Sequence, residues 1–330
     1  MTGMSCLLSF AVVPESGLDF RIRQGYSVGV PNGIPMKGSA PSGSAVTKLD
    51  EIGEWSVDKL CILKAYAEQY SQVLQSQKSA TGVRRFRYGY IDGFAGAGEH
   101  MHKKTHEIVP GSPLNALRVK HRFDEYHFVD LDPDRVARLR AIAASEKNVT
   151  VHHGDCNTVL LNEIFPRFQF QDFARALCFL DPYGMHVSWD VLKQAGTMGT
   201  IEIFLNFPVA DINRNAKRTN PNDVEPDHRK RMTLLWGDET WHSAMFKQST
   251  QGSFFEALGD SSPDLENAGN DGLAEAFQER LKRVGGFQFV PKPVPMRNSK
   301  NAVVYYLFFA GNNEAGNRIA SHIFKKYRAP

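Results

Sequence analysis

The fold is decided by the stretch Tyr90-Ile91-Asp92-Gly93-Phe94-Ala95-Gly96-Ala97-Gly98. Its first residues predict a short buried strand, and the residues that follow predict a turn that contains three glycines. Because glycine has no Cβ atom, its backbone can adopt positive φ angles and can approach a bound molecule closely. The stretch therefore predicts a ligand-binding loop at the carboxyl end of a strand.

Further apolar segments with acidic ends follow this loop along the chain. They are Phe128-Val129-Asp130-Leu131-Asp132, His153-Gly154-Asp155 and Phe179-Leu180-Asp181-Pro182-Tyr183-Gly184. A glycine-rich loop alone is a weak signal, but the ordered set is much harder to obtain by chance. In parallel sheets with helices on both faces, ligands bind at the carboxyl ends of the strands. We expect the acidic ends of these segments to surround one site.

Strands and helices alternate over the first two thirds of the chain. The predicted strands are Tyr88–Phe94, Glu125–Asp130, Val149–His153, Ala176–Leu180 and Ile201–Phe207. The helical stretches between them are Ser112–His121, Pro133–Ser145 and Ser188–Gly196, and a helix over Ser56–Leu74 precedes them. We expect Ser56 and Ser112 to cap their helices. This alternation predicts an α/β fold with a parallel, doubly wound sheet. Together with the glycine-rich loop and an antiparallel pair of late strands, described next, it is similar to the Rossmann-like sheet of class I methyltransferases.

The chain is predicted to have four parts. Residues 1–45 are rich in Gly, Ser and Pro and are interpreted as a flexible leader, and residues 46–210 form the α/β core. Residues 211–286 form an inserted helical lobe with helices near Asp227–Trp236, Thr240–Phe246 and Asp271–Val284. Residues 287–330 complete the core with the strand Val303–Phe309, for which Phe287–Val290 is the expected antiparallel partner.

Composition limits the class of protein only broadly. The 330 residues are 42% hydrophobic and 23% charged, which is typical of a globular protein. The net charge of +3 neither requires nor excludes nucleic acid as a partner. The four cysteines lack the spacing of metal ligands, so no metal is expected. No apolar run of about 18 residues and no signal peptide is apparent, and a cytoplasmic location is expected.

The glycine-rich loop indicates S-adenosylmethionine (SAM) as the cofactor. A strand followed by D-x-F-x-G-x-G, here Asp92 to Gly98, is typical of SAM-dependent methyltransferases. Gly96 and Gly98 are predicted to let the backbone approach the amino-acid end of the cofactor, beside Phe94. Asp92 is predicted to orient the loop or to meet the amino group of the cofactor.

The later strand ends would bind the nucleoside part of SAM. Asp130 is positioned to accept hydrogen bonds from both ribose hydroxyls, with Asp132 as its competitor, and Asp155 is positioned to accept from the adenine amino group. Cys156 follows Asp155 and belongs to the same predicted site. Each acid also suits a helix cap. A dinucleotide site is less consistent, because it requires G-x-G-x-x-G and an acid about 20 residues further on.

Asp181-Pro182-Tyr183-Gly184 is the predicted catalytic motif. In amino-methylating enzymes such a carboxylate and the proline carbonyl accept hydrogen bonds from the target amine, and the aromatic ring stacks on the base. The motif departs from D-P-P-Y and is closer to the D-P-F-G of tRNA guanine-N2 methyltransferases. A strand-end turn with a buried tyrosine is the alternative. Trp189 and Asn206-Phe207-Pro208 are further candidates for the pocket, although a core position is the favoured interpretation of Trp189.

Cations near the predicted lobe are candidates for binding the phosphates of a nucleic acid substrate. They are Arg214, Arg218, Arg229, Lys230 and Arg231. Solvated helix faces explain them equally well. The histidines His100, His102 and His106 do not have the spacing of a standard zinc site, and a loop over the substrate is the preferred interpretation.

With these residues considered, the sequence resembles the three-Cys-motif partner protein (TcmP) family over roughly residues 50–328. The matching elements include the stretch from Ile91 to Gly98, Gly111-Ser112-Pro113-Leu114, Gly154-Asp155-Cys156-Asn157, Phe179 to Gly184, Asn206-Phe207-Pro208 and Trp236-Gly237. The resemblance implies a SAM-methyltransferase-like fold and a partner protein that carries the three cysteines. It is associated with bacterial or phage genes, and it does not define a substrate.

Three functions are consistent with the sequence. The preferred one is SAM-dependent methyl transfer to a nucleic-acid amine. The others are a catalytically silent accessory protein of the same fold and a methyltransferase that acts on a small molecule.

Overall fold

The computed structural model describes residues 49–78, 81–248 and 265–328, and these all belong to one compact unit. The predicted leader, residues 1–45, lies outside the described residues. The boundaries predicted for the core and the inserted lobe stay predictions.

A seven-stranded sheet forms the centre of the described chain. Its strands are β1 (Arg87–Asp92), β2 (Glu125–Asp130), β3 (Val149–His153), β4 (Ala174–Leu180), β5 (Ile201–Phe207), β6 (Val294–Arg297) and β7 (Val303–Ala310). Their order across the sheet is β3-β2-β1-β4-β5-β7-β6. Strands β1 to β5 run parallel, whereas β7 is antiparallel to both of its neighbours. The five predicted strands of the parallel part are confirmed.

The partner predicted for β7 is wrong. Phe289 forms only an isolated bridge to Gly311, and the strand that pairs along β7 is Val294–Arg297. Phe287 and Val290 look like strand residues because they are apolar, but they are buried in the core beside the sheet. The true strand contains Pro295, which lacks an amide donor and is tolerated at a sheet edge. That proline hides the strand from a search for regular strand patterns.

The described helices surround the sheet. They are α1 (Glu54–Ser76), α2 (Ser112–Leu117), α3 (Pro133–Ile142), α4 (Cys156–Val159), α5 (Trp189–Met198), α6 (Val209–Asn215), α7 (Pro226–Trp236), α8 (Trp241–Met245), α9 (Gly269–Arg283) and α10 (Glu314–Arg328). Short strands at Glu51–Ile52, Glu99–His102 and Ile108–Pro110 form a separate small sheet, and Phe246–Gln248 pairs with Leu265–Asn267. Among the helices described, none combines the length and apolar character needed to cross a membrane.

The two faces of the sheet bury separate apolar cores. On one face, Tyr66 of α1 packs edge-on against Phe204 of β5, and Phe324 of α10 contacts the same ring. On the other face, Phe277 of α9 stacks on Phe207 of β5, with ring centroids 4.3 Å apart. Helices therefore cover both faces, as the doubly wound fold requires.

A buried acid in this core gives the first prediction. Glu202 on β5 accepts a hydrogen bond from the Tyr66 hydroxyl at 2.5 Å, and burial raises the pKa of Glu202 to about 7. The folded protein therefore holds a proton that the unfolded chain releases near its ordinary pKa of 4.5. Stability should fall as the pH rises between these two values, by up to about 1.4 kcal/mol per pH unit, and level off above them.

Replacing Glu202 by glutamine should remove this contribution. We expect urea titrations at several pH values to show a shallower decline in the free energy of unfolding for Glu202→Gln than for the wild type. Asp92, whose pKa burial also raises to about 7, is present in both proteins, so its contribution cancels. Parallel declines would contradict the assignment.

Candidate active site

Two adjoining cavities lie at the carboxyl edge of the parallel strands. The loop cavity, of about 520 Å³, is bounded by the loops after β1, β2 and β3, including Asp130 and Asp155. The helix cavity, of about 290 Å³, lies between the β1 loop, the turn after β4 and helix α1. Phe94 and Tyr183 line both cavities. The arrangement suits a ligand that extends from one cavity to the other.

Asp130 connects two of the loops. Its Oδ2 atom accepts from the Gly96 amide at 2.8 Å, and its Oδ1 atom accepts from the Asp132 amide at 2.9 Å. Gly96 has a φ of +63° and lines the helix cavity, with no other group near the position of a Cβ atom. Asp130 therefore holds the glycine-rich loop against the end of β2 and presents its carboxylate to the loop cavity.

Asp92 and Gly98 support the loop from behind. Asp92 is fully buried, and it accepts hydrogen bonds from the Phe94 amide at 3.3 Å and from the Ser112 hydroxyl. Desolvation by burial raises the pKa of Asp92 to about 7. The Gly98 carbonyl accepts from the Gly111 amide at 2.8 Å. These contacts make Asp92 a residue that orients the loop.

Asp132 and Asp155 cap helices at the rim of the loop cavity. Asp132 accepts from the amides of Asp134 and Arg135 at the start of α3, and these bonds lower its pKa. Asp155 accepts from the Thr158 amide at 2.9 Å at the start of α4. Both acids also line the cavity. Capping and ligand binding are compatible here, because a carboxylate has about four acceptor sites.

Cys156 lines the loop cavity from a buried position. Burial raises the pKa of its thiol well above the ordinary value, so the group stays neutral. A Cβ atom on Gly93 would lie 2.7 Å from the Cys156 sulfur, so this glycine permits close packing of the β1 loop against α4.

Asp181 makes an ion pair that the sequence did not predict. Its carboxylate contacts the ammonium group of Lys59 and accepts a hydrogen bond from the Asn206 amide at 2.7 Å. The Lys59 side chain is only 6% exposed, and its nitrogen lies 5.4 Å from the centroid of the Trp55 ring. Pro182 lines the same helix cavity. The predicted catalytic carboxylate is thus present at the cavity, with two donors already bound.

Tyr183 is exposed, contrary to the alternative in which it is a buried residue of a structural turn. Its hydroxyl donates to Asp50 at 2.7 Å, and the Arg135 guanidinium lies 5.4 Å from its ring centroid. Arg135 also forms an ion pair with Asp50 at 3.0 Å. The chain just before α1 therefore lies at the boundary of the two cavities.

His100 carries a buried polar atom without a partner. Its Nδ1 atom has no hydrogen bond to any residue that the structure describes, although the side chain lines the helix cavity. Burial, and then the charge of Lys59, lower the pKa of His100 and keep the ring neutral. Within the described ranges, the structure has no cluster of three or more His, Cys, Asp or Glu side chains suited to a metal ion.

The predicted substrate-binding cations divide into two groups. Arg229 forms an ion pair with Glu239 at 2.8 Å, and Arg218 donates to backbone carbonyls. The second group is exposed and has no ion pair with any described acid; it consists of Arg214, Lys230 and Arg231. Burial raises the pKa of Tyr305 in the helix cavity to about 12, and the charge of Arg214 opposes this rise. Burial, and then the charge of Arg231, lower the pKa of His186 in the loop cavity.

Sequence reasoning missed several residues of the site. Lys59 carried a usable signal, because it is the one charged residue among the buried residues of α1. Asp50 and Arg135 carried none, since their roles depend on contacts between distant segments. Ser56 and Ser112 do not cap their helices: the capping positions belong to Gly53 and Gly111, and both serines line the helix cavity.

Of the further pocket candidates, Asn206 reaches the site and Trp189 does not. The Asn206 amide binds Asp181, whereas Trp189 packs edge-on against Phe277 in the core. A Cβ atom on Gly237 would lie 2.5 Å from the Trp189 ring, which shows how closely that ring is enclosed.

The chain was compared with known proteins. No family model and no curated protein matches it. Solved structures do match. A proposed methyltransferase, yhhF, from Escherichia coli is 15% identical over 36% of this chain and 58% of that one, with a TM-score of 0.26. A proposed methyltransferase from Thermobifida fusca is 13% identical over 78% of this chain and 81% of that one (TM-score 0.37), and a proposed SAM-dependent methyltransferase from Listeria monocytogenes is 12% identical over 76% of this chain and 99% of that one (TM-score 0.36).

The TM-scores of these matches are all below 0.5, so the fold assignment rests on the strands themselves. The order β3-β2-β1-β4-β5-β7-β6, with only β7 antiparallel to its neighbours, is that of a Rossmann-like class I methyltransferase sheet. The predicted fold class is confirmed. Membership of the TcmP family has no support from the family models.

Proposed function

We propose that this chain is a SAM-dependent methyltransferase. The observation that carries the proposal is the pair of adjoining cavities that share Phe94 and Tyr183. One cavity presents the Asp130 carboxylate, and the other presents Asp181. This arrangement suits a nucleoside in the loop cavity and an acceptor group in the helix cavity.

The residues present fit the cofactor. Asp130 uses one acceptor site on each oxygen for the Gly96 and Asp132 amides, which leaves lone pairs for two ribose hydroxyls. Asp155 retains acceptor sites for an adenine amino group. Gly96 leaves open space for the amino-acid end of the cofactor. When bound, SAM supplies an electrophilic methyl group on a sulfonium ion.

The proposed acceptor is an amine. Lys59 and Asn206 use two of about four acceptor sites of the Asp181 carboxylate, so a third donor can bind there. The Pro182 carbonyl is the proposed second acceptor, and the exposed Tyr183 ring is a stacking surface for a base. The contribution of these residues is orientation of the nitrogen lone pair.

A nucleic acid is the proposed carrier of this amine. The supporting observation is that Arg214, Lys230 and Arg231 are exposed and have no ion pair with any described acid. The charges of Arg214 and Arg231 also affect the pKa values of Tyr305 and His186, which line the two cavities. Cations of this kind bind phosphates without reading the sequence. The three-Cys-motif partner protein and a cytoplasmic location also remain proposals, based on the sequence resemblance and on composition.

Neutralising the unpaired cations tests the nucleic-acid proposal. In the variant Arg214→Gln/Lys230→Gln/Arg231→Gln we expect weaker nucleic-acid binding and a flatter dependence on salt, by up to about 0.9 log units per lost phosphate contact. Arg229→Gln is the matched control, because Arg229 is already paired with Glu239. Fluorescence anisotropy over a salt series measures the slope. An unchanged slope would make these residues a solvated surface.

A catalytically silent accessory protein is the second candidate. The partly buried ion pair between Lys59 and Asp181 favours it, because the ammonium group already occupies one acceptor position of the carboxylate that the amine would use. Mass spectrometry of nucleic acid from cells with and without the active protein separates the candidates. A new methylated nucleoside that depends on the protein supports the enzyme. SAM binding without any methylated product supports the accessory protein.

A further inference from the structure

A second group of cations lies at the amino ends of the parallel strands, where β1 and β4 begin, opposite the candidate active site. Two arginines alternate there with three phenylalanines in the order Phe170, Arg175, Phe86, Arg85, Phe173, which we call the Arg–Phe ladder. The guanidinium carbon of Arg175 lies 4.8 Å from the ring centroids of both Phe170 and Phe86. That of Arg85 lies 5.4 Å from Phe86 and 5.3 Å from Phe173.

The ends of the ladder are open to solvent. Phe170 is 60% exposed and Phe173 is 45% exposed, whereas Phe86 between the two arginines is buried. Both exposed rings belong to the turn that precedes β4. Phe173 adopts a φ of +50°, which is unusual for a bulky residue. An exposed aromatic pair held on a strained turn is costly for a surface that contacts only water.

The charge of the ladder is only partly balanced within the described chain, where the buried Glu202 acts electrostatically on Arg175. Arg85 and Arg175 have no ion pair with any described acid. Nearby arginines are paired: Arg84 with Asp124, and Arg87 and Arg167 with Glu125. Asp172 is the one acid on the turn itself. The five arginines outnumber the three acids, so the surface is net positive.

The geometry selects one class of partner. Arg175 donates one N–H to the Ala174 carbonyl at 2.7 Å. A guanidinium that lies against a ring can still donate its remaining in-plane N–H groups, and these suit phosphate oxygens. Exposed aromatic rings beside such donors are the features that bind successive bases of a single strand. An acidic peptide would pair with the arginines but would make little use of the flat rings.

We infer that the Arg–Phe ladder is a binding site for single-stranded nucleic acid, separate from the proposed active site. Strand β1 has six residues, so the ladder lies roughly 20 Å from the carboxyl edge of the sheet. The inference does not depend on SAM binding or on methyl transfer. A strand bound here would be held by a surface that takes no part in the reaction.

The test measures the binding of a fluorescein-labelled oligothymidine, and of an oligouridine, each of about 20 nucleotides. Phe170→Leu keeps an apolar side chain but removes the π face, and Phe170→Trp retains it. We expect at least about fivefold weaker binding for Phe170→Leu and wild-type binding or better for Phe170→Trp. Arg85→Gln should weaken binding and flatten its salt dependence. The control Val284→Ala/Lys326→Gln changes an exposed apolar residue and an exposed cation elsewhere.

Two further measurements make the outcome decisive. The variant Asp130→Ala should keep this binding in full, because Asp130 belongs to the proposed cofactor site. A matched duplex and poly-glutamate should compete weakly against the single strand. Equal binding by Phe170→Leu and Phe170→Trp would overturn the proposal. Competition by poly-glutamate as strong as by unlabelled oligonucleotide would instead assign the surface to an acidic protein partner.

Discussion

Turnover should fall at least about 100-fold when the carboxylate of Asp181 is removed, which is the loss expected for one preorganised polar contact at a reacting centre. The structure determines how the experiment must be built. In Asp181→Ala alone, the buried Lys59 ammonium would lose its partner, which costs about 3–5 kcal/mol of stability. The informative comparison is therefore Lys59→Met/Asp181→Ala against Lys59→Met, with methyl transfer measured in both.

Lys59→Met/Asp181→Asn provides the matched conservative change. Its side-chain carbonyl still accepts one hydrogen bond, so its loss of turnover should be smaller than that of the alanine variant. SAM affinity should stay close to that of the wild type in all three variants, because Asp181 is assigned to the acceptor. If Lys59→Met/Asp181→Ala transfers methyl groups as fast as Lys59→Met does, the motif from Asp181 to Gly184 is only a structural turn.

The second large effect is expected on cofactor affinity. Asp130→Ala would remove the proposed acceptor for two ribose hydroxyls, and hydrogen bonds to a charged group contribute about 1.5–3 kcal/mol each. It would also release the Gly96 and Asp132 amides, which the carboxylate holds at 2.8 and 2.9 Å. We expect SAM affinity to fall tenfold or more in a calorimetric titration.

Asp132→Asn is the control for Asp130→Ala. Asparagine caps helices as well as aspartate does, so α3 should remain intact while the charge is lost. The sequence left Asp132 as the alternative to Asp130 for binding the ribose hydroxyls, and comparing the SAM affinities of the two variants distinguishes these assignments. A larger loss for Asp132→Asn than for Asp130→Ala would exchange their roles.

The parallel half of the fold could be predicted because its signals are local. Strands β1 to β4 each end at, or just before, an acid or a glycine, and β5 ends just before Pro208. Helical stretches with clear starts separate several of these strands. Strand β6 could not be predicted, because Pro295 breaks its pattern and its pairing depends on a distant strand. Local patterns identify elements, whereas the edges of a sheet are decided by contacts over long sequence separations.

The candidate site divides in the same way. The acidic strand ends were visible in the sequence, because parallel strands bring their carboxyl ends to one edge. The ion pair between Lys59 and Asp181 joins residues 122 positions apart, and no periodicity connects them. The same holds for Asp50, which contacts Tyr183 and Arg135 from the segment before α1. The sequence therefore identified the strand ends that surround the cavities, but not the contacts that distant segments make there.

Calorimetric titration of SAM into the purified protein is the most direct test of the proposed function, with nicotinamide adenine dinucleotide titrated in parallel. We predict saturable binding of one SAM per chain, competition by S-adenosylhomocysteine, and no binding of the dinucleotide. Asp130→Ala should weaken the SAM isotherm under the same conditions. A wild-type protein that binds the dinucleotide, or that gives no heat with SAM, would contradict the assignment of the two cavities to a methyltransferase.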